Sequence, residues 1–118
     1  MNRILIVEDE SRIASFLEKG LRKQGYEVEI ATNGHEAIAK ATTTPYDLLL
    51  LDLGLPGKDG WAVLRELRQS SQKLPVIIVT ARDGETDRAE ILQQGANDYL
   101  SKPFRFSELL EKVKRQLA

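Results

Sequence analysis

Acidic side chains follow two separate apolar stretches of this sequence, and a lysine follows a third. Glu8 and Asp9 come directly after one apolar run, Asp52 comes after four consecutive leucines, and Lys102 closes a shorter run. If these positions meet, the carboxylates repel one another, so their meeting requires a compensating cation. The lysine remains available for a further anion. The pattern therefore predicts metal-assisted chemistry on an anionic group.

Composition limits the kind of protein that carries these groups. The 118 residues are 42% hydrophobic and 30% charged, which suits one globular domain. The 17 basic residues nearly balance the 18 acidic ones, so we expect the domain itself not to grip DNA. The absence of cysteine excludes disulfides and thiolate zinc sites and fits a reducing compartment, so we expect a cytoplasmic protein. No apolar run approaches the roughly 18 residues that cross a bilayer, so no membrane association is expected.

Five apolar runs suited to buried strands alternate with helix-like stretches. The runs are Arg3–Val7, Tyr26–Ala31, Asp47–Leu51, Val76–Thr80 and Asp98–Leu100. This alternation predicts an α/β fold with a doubly wound, five-stranded parallel sheet and helices on both faces. The flavodoxin-like strand order 2-1-3-4-5 would put the functional crevice between strands 1 and 3, at the carboxyl ends where the acids lie.

Most of the predicted helices show apolar residues at helical spacing. The sets are Phe16, Leu17 and Leu21 in the first, Ala37, Ile38 and Ala41 in the second, Val63, Leu64 and Leu67 in the third, and Phe106, Leu109, Leu110, Val113 and Leu117 in the last. The last helix is expected to start at Ser107 or in the preceding loop. The fourth helix, predicted over Glu85–Gln94, has only Ala89, Ile91 and Leu92, so we expect it to be the element that moves most easily.

Each acidic candidate also has an ordinary structural explanation. Asp52 alone would serve as a turn cap, and Glu8 and Asp9 would serve as caps for a helix beginning near Ser11. Together, however, the three acids make the all-oxygen ligand set that Mg²⁺ prefers. Magnesium fits better than zinc, because the lone His35 lies at a helix start far from these residues.

Thr80 and Lys102 likewise have two explanations. Thr80 ends a strand and is either a β-branched strand residue or a hydroxyl donor to a phosphoryl oxygen. Lys102 is either an ordinary solvated lysine or a positive charge at the site, and Pro103 fixes the turn after it.

Four segments in order resemble the receiver domain of bacterial two-component response regulators. They are Ile4–Glu10, Leu51–Gly60, Val79–Ala81 and Asp98–Phe104, and the resemblance covers essentially the whole chain, residues 1–118. It implies that Asp52 accepts a phosphoryl group from the phosphohistidine of a sensor histidine kinase. It also implies a regulatory domain rather than an enzyme, since such a domain catalyses only its own phosphoryl transfer and dephosphorylation.

The resemblance assigns the metal ligands. Mg²⁺ would be held by Asp9, Asp52 and the backbone carbonyl of Gly54, and Glu8 would act through a coordinated water.

The resemblance also assigns the phosphoryl-binding and switch residues. Lys102 would pair with Asp52 before transfer and with phosphate afterwards, while Thr80 and the amide of Ala81 bind other phosphoryl oxygens. Drawing the threonine hydroxyl inward would vacate space for Tyr99 and shift the surface of strand 4, helix 4 and strand 5.

The acidic pair, the Tyr99–Phe104 run and the last helix look most similar to the winged-helix transcription factor branch, often called OmpR/PhoB. This implies a DNA-binding output domain, which we expect to lie outside these 118 residues; a single-domain regulator is the alternative. DNA would then be bound only through that tethered domain. The branch also implies a homodimer on phosphorylation, through helix 4, strand 5 and helix 5. The matching positions are Arg88, Leu92, Asp98, Glu108, Leu110 and Lys112.

Several positions depart from the pattern of the branch. Asn97 stands where an acid is usual, which leaves one expected cross-dimer pair in doubt, and Ile91 occupies a position that is commonly glycine. Gly54 leaves a bare backbone two residues after the phosphoacceptor, and Arg82 stands two residues after the threonine. We expect an unusual dephosphorylation rate, of unspecified direction.

Three other functions remain as alternatives. A Mg²⁺-dependent phosphatase with an aspartyl nucleophile would carry a second aspartate where Gly54 stands. A flavin carrier would need a phosphate-cradling first loop, where this chain has three acids in a row at residues 8–10. A docking module that works without phosphorylation is the third.

Overall fold

Five strands and five helices alternate along the chain in the computed structural model, which describes residues 2–70, 73–81 and 85–118. The elements are β1 (Arg3–Val7), α1 (Ser11–Lys23), β2 (Glu27–Ala31), α2 (Gly34–Thr43), β3 (Leu48–Asp52), α3 (Gly60–Ser70), β4 (Val76–Thr80), α4 (Glu85–Gln93), β5 (Asp98–Ser101) and α5 (Phe106–Leu117). The predicted strands are confirmed within one residue at each end. The difference that matters is in β3, which includes Asp52 as its last residue.

The strands form one parallel sheet in the order β2-β1-β3-β4-β5, which confirms the predicted fold class. Every residue of β3 and β4 is buried, because helices cover both faces of the sheet. The register sets Val7 beside Leu51 and Asp52 beside Val79. The carboxyl ends of β1, β3 and β4 are therefore nearly level, and the loops that follow them open at one edge.

Two hydrophobic cores lie on opposite sides of this sheet. Alternate strand residues point to opposite faces, so Leu49 and Leu51 belong to one core, while Leu48 and Leu50 belong to the other. The first core is completed by α2, α3 and the buried Ile91 of α4, and the second by α1 and α5.

The helices differ from the predicted pattern at two places. Phe16 does not join the buried face of α1; its residue is 52% exposed and its ring meets Phe106 edge-on, with 5.8 Å between ring centroids. In α4 only Ile91 of the predicted apolar set is buried, and Ala89 and Leu92 are exposed. Among the residues of this helix whose burial is described, 88–93, Ile91 is the buried one, which agrees with the sparse apolar pattern of the helix.

The start of α5 is fixed by its own first turn. The helix begins at Phe106, and the Glu108 carboxylate accepts a hydrogen bond of 3.0 Å from the Arg105 amide. Within the described residues, none of the helices has the length and apolar run required to span a membrane.

Candidate functional site

The three acids predicted to share a site lie together at the carboxyl edge of the sheet. Ligand oxygens of Glu8, Asp9 and Asp52 are all within 4.8 Å of one another. Glu8 and Asp52 are buried, whereas Asp9 is exposed. This convergence follows from the neighbouring parallel positions of β1 and β3, which end side by side.

Lys102 brings positive charge to these acids from the end of β5. Its ammonium Nζ lies 3.0 Å from Glu8 Oε1 and 3.3 Å from Asp52 Oδ2. Its backbone amide donates to the Thr80 carbonyl at 2.7 Å, which ties the loop after β5 to the end of β4. The Lys102–Pro103 peptide is cis. The lysine therefore bridges two acids, one directly after β1 and the other at the end of β3.

The electrostatics of the site show a shortage of positive charge. Burial raises the pKa of the Glu8 carboxyl above its ordinary value of 4.5, and the nearby negative Asp52 raises it further, despite opposing hydrogen bonds from the Glu10 amide and Lys102. Burial alone would lower the pKa of Lys102, but Glu8 and Asp52 together outweigh burial and raise it above 10.5. Among the described residues, Lys102 is paired with two of the three clustered carboxylates, so an added divalent cation is favoured here.

Local hydrogen bonds orient two of the carboxylates. Asp52 Oδ1 accepts a hydrogen bond from the Gly54 amide at 3.0 Å. This aspartate therefore does cap the turn, and it also belongs to the acidic cluster. Glu8 Oε2 accepts from the Glu10 amide at 3.1 Å. Neither Glu8 nor Asp9 caps α1, because the N-cap position is Glu10. The helix-capping explanation of these two acids is therefore wrong.

A cavity of about 670 Å³ opens at this edge of the sheet. It is lined by Asp9, Glu10, Asp52, Leu53, Gly54, Asp59, Trp61, Thr80, Ala81 and Lys102. Thr80 is buried at the end of β4, and Ala81 follows it at the surface. The phosphoacceptor candidate is thus accessible from solvent through the cavity, although its side chain is only 10% exposed.

Sequence reasoning missed four of the lining residues, namely Glu10, Leu53, Asp59 and Trp61. Trp61 is the only tryptophan of the chain and lies in the first turn of α3. Its position directly after the Asp52 loop could have indicated that it lines the site, since helices that follow the carboxyl ends of strands begin beside the crevice.

The donor set fits magnesium. Three carboxylates with backbone carbonyls nearby offer oxygen ligands only, and the one cluster of possible ligands found in the described ranges contains no histidine. His35 lies apart, at the start of α2 beside Gly57.

Tyr99, the predicted reporter, lies outside the cavity on β5. Its half-buried ring packs against the first core, and the Arg88 guanidinium carbon lies 4.8 Å from the ring centroid. This distance is that of a cation–π contact. The predicted switch residue is therefore in contact with one of the residues predicted for the dimer face.

The other charged residues predicted for the dimer face also have partners within the chain. Asp98 pairs with Lys112 at 3.2 Å, and Glu108 accepts from the Arg105 amide. Of the two apolar positions, Leu92 is 45% exposed, while Leu110 is half-buried against the second core. The face combines an exposed leucine with charged side chains that already have partners within the chain.

Two departures from the branch pattern have structural explanations. Asn97 Oδ1 accepts from the Val76 amide at 2.9 Å and from Arg68 Nη2 at 3.1 Å, so this side chain joins α3 to the start of β4. Ile91 is 1% exposed and supplies the anchor of α4. Arg82 lies outside the described residues.

Comparisons with known proteins identify the family of this chain. The family model of the response regulator receiver domain matches residues 4–114, and the chain therefore belongs to this family. It is 43% identical over 117 residues to the transcriptional regulatory protein PcoR of Escherichia coli, covering 99% of this chain and 52% of that protein. The chain spans about half the length of the curated relatives it matches.

Solved receiver structures share the fold. The receiver domain of the Francisella response regulator 1452 superposes with a TM-score of 0.95 at 33% identity, covering 98% of this chain and 96% of that one. The response regulator TrrA of Thermotoga maritima, solved in complex with Mg²⁺-BeF, gives a TM-score of 0.89 at 39% identity, with 98% and 99% covered. The predicted family is confirmed, and the curated relatives are transcriptional regulators, as the resemblance to the OmpR/PhoB branch implied.

Proposed function

We propose that this domain is a phosphorylation-activated signalling switch of the cytoplasm, in which Asp52 accepts a phosphoryl group from a sensor histidine kinase. The observation that carries the proposal is a cluster of three acids, two of them paired with one half-buried lysine, at the rim of a solvent-open cavity. Carboxylate nucleophiles and charge neutralisation are what phosphoryl transfer requires.

In the transfer step an Asp52 oxygen attacks the phosphorus atom in line. The new oxygen–phosphorus bond forms as the phosphorus–nitrogen bond to the kinase imidazole breaks, and the imidazole leaves with a proton from solvent. Asp9, Asp52 and the carbonyl of Gly54 would hold Mg²⁺, with Glu8 acting through water. When bound, the ion would neutralise charge that develops on the phosphoryl oxygens.

The remaining site residues bind the transferred group. Lys102 would exchange part of its contact with Asp52 for a phosphoryl oxygen, while keeping its closer partner Glu8. The Thr80 hydroxyl and the Ala81 amide line the same cavity and would donate to the other oxygens. These roles make the domain a phosphoacceptor that catalyses only its own modification and dephosphorylation.

The output would pass through the surface formed by α4, β5 and α5. Thr80 and Tyr99 lie on the neighbouring strands β4 and β5. An inward shift of the threonine side chain would therefore change the space available to the tyrosine ring. The shift would promote pairing of two copies through Arg88, Leu92 and the residues around Asp98 and Lys112. The curated relatives are about twice as long as this chain, which leaves room for a further domain. Such a tethered domain would then contact DNA.

Intact-mass measurement after incubation with a small acyl phosphate tests the proposal. We expect one added phosphoryl group with Mg²⁺, and none in Asp52→Asn. Lys102→Ala should slow the reaction strongly. Asp59→Asn is the matched control, because Asp59 lines the same cavity but is not part of the acidic cluster.

An adduct that persists in Asp52→Asn would contradict the assignment of the phosphoacceptor. No adduct on the unmodified protein at millimolar Mg²⁺ would instead favour a docking module.

A further inference from the structure

Gly60 makes an unusually close backbone approach to the candidate phosphoacceptor. It is the first residue of α3, it is buried, and its amide donates to the Leu53 carbonyl at 3.2 Å. A Cβ atom at this position would lie 2.5 Å from the carbonyl oxygen of Asp52 and 2.6 Å from Leu53 Cα. Both atoms belong to the backbone and cannot swing aside as a side chain can, so any residue larger than glycine forces a displacement.

The start of α3 cannot easily yield to such a displacement. The Asp59 carboxylate caps the helix by accepting from the Ala62 amide at 2.9 Å, and Lys58 pairs with Glu66 one turn further on. Val63 and Leu64 bury the inner face of the helix in the first core. The helix start is therefore fixed to its own loop and to the core.

The segment on the other side of the contact carries the chemistry. Asp52 lies in register with Val79 of β4, and its carboxylate is oriented by the Gly54 amide at 3.0 Å. A methyl group on Gly60 would push on the Asp52 carbonyl and on Leu53, and both lie within two residues of Gly54. The displacement would reach the nucleophile and the carbonyl assigned to the metal.

We propose that Gly60 is a positioning residue for phosphoryl transfer, setting the place of Asp52 and Gly54 through direct backbone contact. The inference rests on the proposed function of Asp52. Misplacement of reacting groups by about 1 Å reduces rates by roughly a hundredfold in enzymes.

Gly60→Ala tests the inference against Gly20→Ala. Gly20 is also a helical glycine whose Cβ would meet a neighbour, at 2.4 Å from the Phe106 ring, but it lies on α1 where this helix faces α5, away from the site. The rate of phosphorylation by acetyl phosphate is measured by intact mass over a range of Mg²⁺ concentrations. Fluorescence of the lone Trp61 gives the Mg²⁺ midpoint independently, and melting temperatures give the loss of stability.

We expect Gly60→Ala to lower the rate at saturating Mg²⁺ by about tenfold or more and to raise the Mg²⁺ midpoint. Gly20→Ala should keep the rate and midpoint of the unmodified protein. A Gly60→Ala protein that is folded and reacts at the unmodified rate would overturn the inference alone. Equal losses in both variants would also overturn it, because they would indicate a general effect of stability.

A measurement on the unmodified protein covers the case in which Gly60→Ala does not fold. If Gly60 sets the position of the site residues, then a ligand that fixes those residues should in turn hold Gly60 in place. Filling the site should therefore protect the Gly60 amide from hydrogen exchange. We expect its hydrogen exchange to slow by about threefold or more with Mg²⁺ and beryllium fluoride. Unchanged exchange would overturn the inference, and failure of the unmodified protein to accept phosphoryl would overturn the proposed function together with it.

Discussion

Lys102 lies nearer to Glu8 than to Asp52, with its ammonium at 3.0 Å from the first carboxylate and 3.3 Å from the second. The glutamate is also the more deeply buried of the two side chains, at 3% exposure against 10%. Lys102 therefore does more than pair with the phosphoacceptor. It also supplies the positively charged partner of a buried acid.

The destabilisation caused by replacing Lys102 should be reduced when Glu8 is also made neutral. We expect Lys102→Met to lower the free energy of unfolding without Mg²⁺ by about 1–3 kcal/mol, because Glu8 is left buried without its cation. Combining it with Glu8→Gln should recover about 0.5–3 kcal/mol relative to the sum of the single losses. Urea unfolding of the four proteins measures this. Lys112→Met, which breaks a pair remote from the site, is the control: its loss of unfolding free energy and that of Glu8→Gln should sum in the double variant. If the losses of Lys102→Met and Glu8→Gln also summed in their double variant, the expectation would be contradicted.

Magnesium should stabilise the folded domain before any phosphorylation. Binding at the three carboxylates relieves their repulsion and occurs only when the sheet is formed, so a Mg²⁺ concentration 100 times the dissociation constant should add about 2.7 kcal/mol. Asp9→Asn should remove most of this gain, whereas Glu111→Gln, which changes an exposed acid on α5, should keep it. Melting curves at several Mg²⁺ concentrations provide the measurement. No shift at millimolar Mg²⁺ would argue against the metal site.

Contact between Arg88 and Tyr99 should couple the switch to dimerisation. If Tyr99 turns inward on phosphorylation, Arg88 loses its 4.8 Å ring contact and becomes available to Glu108 of a second copy. We expect Arg88→Ala to cost about 0.5–1 kcal/mol of stability and to weaken the dimer formed with Mg²⁺ and beryllium fluoride. Analytical ultracentrifugation measures the dimer. Arg115→Ala, which breaks an exposed pair with Glu111, serves as control; equal dimerisation of all three proteins would exclude this coupling.

Tyr46 should make the domain less stable at high pH. Its hydroxyl is sealed from solvent without a hydrogen-bond partner in the part of the chain that the structure covers, and burial, followed by the nearby Glu29, raises its pKa from 10.0 to about 12. Since the folded pKa exceeds the unfolded one, stability that is complete below pH 10 is lost as pH rises from 10 towards 12.

Tyr46→Phe should therefore keep or slightly raise stability at pH 7, by about 0–1 kcal/mol, because an unpaired hydroxyl is removed. Its loss of stability above pH 10 should be smaller than that of the unmodified protein by about 1–3 kcal/mol. Urea unfolding at pH 7, 10 and 11 compares them. Tyr26→Phe, on the other side of the sheet, is expected to retain the full loss. Parallel curves for Tyr46→Phe and the unmodified protein would contradict the prediction.

The sheet and the meeting of the acids follow from the sequence because they depend on main-chain regularities. Apolar runs determine the strands, alternation with helices determines the parallel order, and strand ends determine which residues share an edge. Asp52 and Glu8 could therefore be brought together from their positions alone.

Side-chain details did not follow, because they depend on packing between elements. Phe16 has the hydrophobicity of a core residue but is 52% exposed, with its ring edge-on to that of Phe106. Asn97 was expected to matter through a missing cross-dimer charge, yet its amide group bonds within the chain to β4 and α3. Similarly, the sequence does not reveal that Lys102 lies closer to Glu8 than to Asp52, or that Glu8 is the more deeply buried of the two.

The bridge made by Lys102 joins residues that are 94 and 50 positions apart along the chain. No short peptide from this protein contains the complete reaction centre, and a nascent polypeptide on the ribosome acquires it only after the fifth strand has emerged and docked. Signal transmission in the cell would therefore scale with the number of fully matured molecules. A mutation far from the crevice that slows maturation would silence the pathway while leaving the chemistry of every finished molecule intact.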